Sequence, residues 1–158
     1  PVLVVISIVF LRFNPFERNV NQVMADQLSS KTFIEVNKYR QQKGLPVLAE
    51  DSQLCAYAQR RLEQIAKAGG YNNRNEFLED IKNPEIVNQY FSNYSSVTYD
   101  GSGPIKPSTT PERLVRFWST DLENGTVQRP LKENIFTNGC IKADIDTIVI
   151  IFGARKSP

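Results

Sequence analysis

The chain has 158 residues, 19 of them basic and 17 acidic, with two cysteines and no histidine. A net charge of +2 spread over scattered lysines and arginines does not make a nucleic-acid surface, so no nucleic-acid partner is expected. Without imidazole, the usual general base near neutral pH and the commonest metal ligand are both missing, and the length suits one domain with a core of its own.

Residues 1–11, PVLVVISIVFL, form an uncharged apolar run ahead of Arg12. The run is shorter than the roughly 20 residues of a bilayer span. It reads as the distal part of a truncated membrane anchor or as a signal segment, with a Val- and Ile-rich core strand as the alternative. An anchor would make the membrane a partner, with residues 12–29 as a polar spacer and 30–158 as the folded domain. A helix from Lys31 to Gln42, capped by Ser29 or Ser30, sets Phe33, Val36, Asn37 and Arg40 on one stripe. Gly44 and Pro46 end it. A second helix runs from its N-cap Asp51 to Ala68 and turns Leu54, Cys55, Ala58, Leu62, Ile65 and Ala66 inward, before Gly69 and Gly70 stop it. Cys55 on this apolar face and Cys140 inside a later strand read as buried small hydrophobes. A disulfide between them, which would close a long loop and add about 4 kcal/mol, is the alternative.

Asn73 and Glu76 have the spacing of a helix start, with Phe77, Leu78 and Ile81 as the apolar side of a short helix that ends before Pro84. Ile86 to Tyr90 gives a turn of helix. Phe91 to Tyr99 is read as an exposed strand, and Gly101 to Ser108 as a loop by composition. Thr109 or Thr110 caps a helix begun by Pro111, whose apolar side holds Leu114, Val115, Phe117, Trp118 and Leu122. Cys140 to Ala143 and Thr147 to Phe152 are adjacent strands around the turn Asp144-Ile145-Asp146. Ile148 to Phe152 is apolar on both faces and hence central.

The order N-x-Y-R (Asn37, Tyr39, Arg40), then G-L-P-V-L (Gly44 to Leu48), then an acidic turn and L-x-x-x-A (Leu54, Ala58), resembles the opening of a CAP-superfamily domain. This is the cysteine-rich secretory protein, antigen 5 and pathogenesis-related 1 group, also called the SCP domain, here in its bacterial, disulfide-poor form. Trp118, Gly139, Phe152 and Gly153 fit the same pattern, so the resemblance covers about residues 30 to 153. It implies an α+β fold, a three-layer α-β-α sandwich with a mainly antiparallel sheet.

Many members of that family line a central cleft with two histidines and two acidic residues able to hold a divalent metal. Here the first histidine's neighbourhood is Tyr71-Asn72-Asn73, and the second falls on Asn124, six residues after Trp118. The family serine falls on Asp121, and Ser92-Asn93 is the nearest remnant of a glutamate-asparagine pair. The cleft-binding candidates are therefore Asn73, Ser92, Asn93, Asp121 and Asn124. An amide has no basic nitrogen and is a poor zinc ligand, so no catalytic residue, metal or cofactor is expected, and the site is read as degenerate. Purely structural roles account for two of these residues: Asn73 as a helix cap and Asn124 in an Asn-Gly turn. Glu76, Asp80, Asp121 and Glu123 include a conceivable carboxylate pair, although solvated helix surface is the commoner origin of such clusters. Asn93-Tyr94-Ser95 and Asn124-Gly125-Thr126 fit the glycosylation triplet, which has meaning only in a eukaryotic secretory chain. The resulting expectation is a non-catalytic, extracytoplasmic binding module, secreted or membrane-anchored, for a small lipid-like or peptide ligand. The rival classes are a structural or assembly subunit of a membrane-associated complex, and a hydrolase using cleft carboxylates or serine.

Overall fold

The computed structural model describes residues 15–70, 73–120 and 131–156. Helix α1 spans Pro15–Gln42 and so starts well before the expected Lys31. Proline is preorganised for a first helical turn, and burial of Ala25 and Ser29 against the core holds the extra turns in place. The hydroxyls of Ser29 and Ser30 donate to the carbonyls of Ala25 and Asp26, at 2.9 and 3.0 Å, so both serines sit mid-helix and cap nothing. Most of the segment expected as a spacer is therefore helix. Gly44, at φ +70°, takes the left-handed turn that ends α1.

Strand β1 (Ala49–Glu50) leads into helix α2 (Ser52–Lys67). Asp51 caps α2 as expected, its carboxylate accepting from the amides of Gln53 and Leu54 at 2.9 and 3.2 Å. Leu54, Ala58, Leu62 and Ile65 are buried, but Ala66 is exposed, and Tyr57 and Arg61 join the inner face. Helix α3 (Arg74–Asp80) and the short α4 (Pro84–Ile86) follow, and α4 continues into a π-helical turn over Val87–Phe91. Strand β2 is Tyr94–Pro104. It runs through the glycine-rich stretch expected as a loop because Gly101, Ser102 and Gly103 pair with Ile150, Val149 and Ile148. Partner strands override composition there. Helix α5 (Pro111–Thr120) starts at Thr110, whose hydroxyl accepts from the Arg113 amide. Strands β3 (Asn138–Ala143) and β4 (Thr147–Arg155) close the fold around the Asp144 turn.

The class is α+β. The sheet has the order β1-β3-β4-β2. Its β3–β4 and β4–β2 pairings are antiparallel, while β1 runs parallel to β3. The expectation of a mainly antiparallel sheet is thus corrected to a mixed one. The reason lies in the link after α1. Asn37 clamps Leu48, donating to its carbonyl at 3.0 Å and accepting from its amide at 2.7 Å, which lays the next two residues beside β3 in the same direction.

Strand β4 lies between β3 and β2, and Ile148 through Phe152 are fully buried. Each such side chain contributes about 1.5–3 kcal/mol. Alternation divides them: Ile148, Ile150 and Phe152 pack with Val36, Leu114 and Trp118, whereas Val149 and Ile151 pack with Leu54, Tyr57 and Ile65. Cys140 faces the second group and meets Cys55 in a disulfide, with Cα atoms 5.1 Å apart. The reading of both cysteines as free small hydrophobes is therefore corrected. A helix covering one sheet face brought together two residues 85 positions apart.

Arg40 is fully buried. Its guanidinium donates to the carbonyls of Pro46 (2.9 Å), Leu131 (3.2 Å) and Phe136 (2.8 Å), and burial pulls its pKa below the usual guanidinium value. Asn37 and Arg40, which carry the sequence resemblance, are thus framework residues that fix the chain segments around them.

Candidate functional site

One end of the first core cluster opens into a groove of about 560 Å³. Met24, Leu28 and Lys31 of α1 form one wall, the segment from Ile105 to Pro111 another, and the Asp144–Asp146 turn the third. Leu28 and Ile105 are half-buried and continue the packed interior outward. Met24 and Ile145 are 63% and 59% exposed at the rim. Charges of both signs flank this apolar floor, from Lys31, Lys106, Asp144 and Asp146.

The walls are braced by short local hydrogen bonds. The Asp144 carboxylate accepts from the amides of Asp146 (3.0 Å) and Thr147 (2.7 Å), which shapes the turn that presents Ile145. The amide of Ile105 donates to the Asp146 carbonyl at 2.7 Å and ties the second wall to the third. Lys106 and Thr109 close a small ring, amide to hydroxyl and amide to carbonyl, both at 2.8 Å. A preformed apolar trough with a charged rim can accept an amphipathic group at little ordering cost.

The residues expected in the cleft are distributed differently. Asn73 caps α3, its side chain accepting from the Asn75 amide at 3.0 Å, while its carbonyl accepts from Arg61 at 3.2 Å. Asn93 donates to Gln53 at 3.4 Å, and the Ser92 carbonyl accepts from Lys156 at 2.9 Å. Arg61 and Gln53 stand about two turns, roughly 12 Å, apart on α2. Asn73 and Asn93 thus attach to different parts of that helix, while Ser92 is tied to Lys156 beyond β4. Asp121, Glu123 and Asn124 lie outside the described residues.

Among the candidate carboxylates, Glu76 pairs with buried Arg61 at 3.5 Å. Asp80, buried beneath α2, accepts from Tyr57 (2.9 Å), Gln64 (3.1 Å) and Arg60 (3.3 Å). Burial alone would raise its pKa, but these donors outweigh it and hold the group below the usual carboxylate value. That direction is opposite to what a general base near neutral pH requires. Tyr57 and Arg61 were missed as inner residues because a tyrosine and an arginine read as surface. The groove was missed too, although Ile145 between two aspartates at a turn tip was an available signal.

The sequence profile of the CAP, cysteine-rich secretory protein family, matches residues 33–138. No curated protein is matched by the sequence. A cysteine-rich secretory protein of Staphylococcus aureus superposes with a TM-score of 0.65 at 15% identity over 83% of this chain. This chain spans only 40% of that protein. An outer surface protein of Borrelia burgdorferi gives a TM-score of 0.58 at 16% identity, covering 78% of this chain and 90% of its own. At such identities the structures speak for the fold, and the profile match over most of the chain speaks for descent. The chain belongs to the CAP, or cysteine-rich secretory protein, family.

Proposed function

We propose that this CAP domain is a non-catalytic binding module that works outside the cytoplasm and takes a small lipid-like or peptide ligand in the groove between α1, the 105–111 segment and the β3–β4 turn. The observation that carries the reading is the trough itself: apolar side chains continuous with the core, walls braced by backbone hydrogen bonds, and charges of both signs among the lining residues. Lack of histidine and the low-pKa setting of Asp80 support a binding role over a catalytic one. The Cys55–Cys140 disulfide supports an oxidising compartment, as does the description of one structural neighbour as an outer surface protein. Among the described residues no helix is long and apolar enough to cross a membrane. Anchoring through residues 1–11, which lie outside them, belongs to the same reading. So does a three-layer α-β-α arrangement, supported by the two core clusters on alternate residues of β4.

The test is mass spectrometry of organic extracts from purified protein, paired with titration of a fluorescent fatty acid and of an apolar peptide. Met24→Glu and Ile145→Glu place charge on exposed positions and should abolish uptake without unfolding the chain. Unchanged uptake in both variants, or no uptake of either probe by the parent, would sink the assignment of this groove.

A further inference from the structure

Three side chains from different elements converge beside the disulfide. Glu50 Oε1, from β1, stands 3.7 Å from Cys55 Sγ of α2 and 3.8 Å from Cys140 Sγ of β3. One ligand atom from each residue lies within 4.8 Å of both others. While the sulfurs are bonded to each other neither is a thiolate, and the trio has no strong cation ligand beyond the carboxylate.

Reduction changes that chemistry. Two electrons and two protons from a dithiol convert the cystine to two thiols, and the dithiol leaves as its own disulfide. Two thiolates on a tetrahedral zinc ion, each with a Zn–S bond of about 2.3 Å, sit about 3.7 Å apart. Cα atoms 5.1 Å apart leave room for that spacing. Glu50 is exposed and free to turn its carboxylate onto the same ion, while Cys55 is half-buried and Cys140 fully buried. An ion would therefore enter from the β1 edge and find Cys140 as its innermost ligand.

We propose that reduction of Cys55–Cys140 opens a site for one soft divalent metal ion, held by the Cys55 and Cys140 thiolates and the Glu50 carboxylate. Water takes the fourth position. Binding displaces one proton from each thiol, and the metal takes over the link between α2 and β3 that the disulfide supplied. Two sulfurs and one carboxylate suit zinc or cadmium and disfavour calcium and magnesium. The bonded sulfurs of the oxidised protein offer no thiolate, so the site is a redox-gated one and independent of the groove.

The probe is Cd²⁺, whose thiolate charge-transfer absorption reports sulfur ligation directly, added to the full chain with and without prior reduction by a phosphine. The reduced protein should take up about one Cd²⁺ per chain, with that absorption, release of protons and a rise in Tm. The oxidised protein should show none of these. Glu50→Gln should keep the absorption but weaken binding by about tenfold or more, and Cys140→Ser should lose the absorption. If reduction alone unfolds the chain, Cd²⁺ should restore its far-ultraviolet circular dichroism. The proposal is overturned if Glu50→Gln binds as the parent does or if one ion is shared between two chains. It is equally overturned by a reduced chain that Cd²⁺ neither binds nor stabilises.

Discussion

Replacing Arg40 by methionine keeps much of the side chain's length and removes its guanidinium. That group holds three carbonyls, those of Pro46, Leu131 and Phe136, at 2.9, 3.2 and 2.8 Å. Hydrogen bonds from a charged donor contribute about 1.5–3 kcal/mol each, which puts the gross loss near 4.5–9 kcal/mol. Methionine recovers part of this, since burying a cation itself costs several kcal/mol. The net destabilisation should be about 3–5 kcal/mol, a large share of the roughly 5–15 kcal/mol that holds a domain folded. Arg40→Lys keeps the charge but presents a single ammonium where three carbonyls lie in different directions, so it should lose nearly as much. Urea unfolding followed by fluorescence of Trp118, which is 1% exposed, measures both variants with the disulfide intact. With a slope of about 2 kcal/mol per molar urea, the midpoint should fall by about 1.5–2.5 M. A methionine variant within about 1 kcal/mol of the parent, the ordinary net value of one neutral hydrogen bond, would refute the argument. A lysine variant matching the parent would show instead that charge alone suffices.

Leu62, 3% exposed in the α2 face of the core, should cost about 2–5 kcal/mol when cut to alanine, read from the same urea curves. Gly153→Ala places a methyl 2.6 Å from the Tyr94 ring and should destabilise by about 1–3 kcal/mol; a neutral result would mean that Tyr94 moves aside freely. For Asp80 the pH dependence has a definite sign. Its folded pKa is depressed, so its stabilisation is present above the unfolded value near about pH 4 and is lost as pH falls through the lower folded value. Thermal melts between about pH 5 and about pH 2 should show a falling Tm, and Asp80→Asn should flatten that fall; an equally steep fall in the variant would exclude Asp80 as a source.

What could be read from the sequence divides along a physical line. Local chemistry was legible. Asp51, Asn73 and Thr110 cap the helices they precede, and the Asp144 turn joins the two strands around it. The apolar run from Ile148 to Phe152 announced a strand buried on both faces. What was not legible depended on partners distant in sequence. Gly101 to Pro104 became strand because β4 supplied a ladder, and Pro15 to Ser30 became helix because the core covered Ala25. Cys55 and Cys140 met because α2 crosses the face that Cys140 occupies. For the site, the family alignment pointed to Asn73, which is a helix cap, and to Asn93, which is a tether ahead of β2, while Asn124 lies outside the described residues. The trough is built from α1, a loop and a turn, none of which has meaning until the three are brought together.

Among the described residues, the longest side-chain ties connect the stretch from Arg40 to Cys55 with residues 131–155. Arg40 reaches Leu131 and Phe136 across 91 and 96 positions, Asp51 meets Arg155 across 104, and the disulfide spans 85. Chains dominated by such distant contacts close their loops before those contacts repay the entropy, and they fold slowly. Helices α1 and α2 have no sheet to cover until β3 and β4 are in place, so their apolar faces stay open through that interval. Refolding of the reduced chain should therefore show a lag in which helix signal precedes burial of Trp118, and crowding of unfinished chains in that lag is where aggregation would begin.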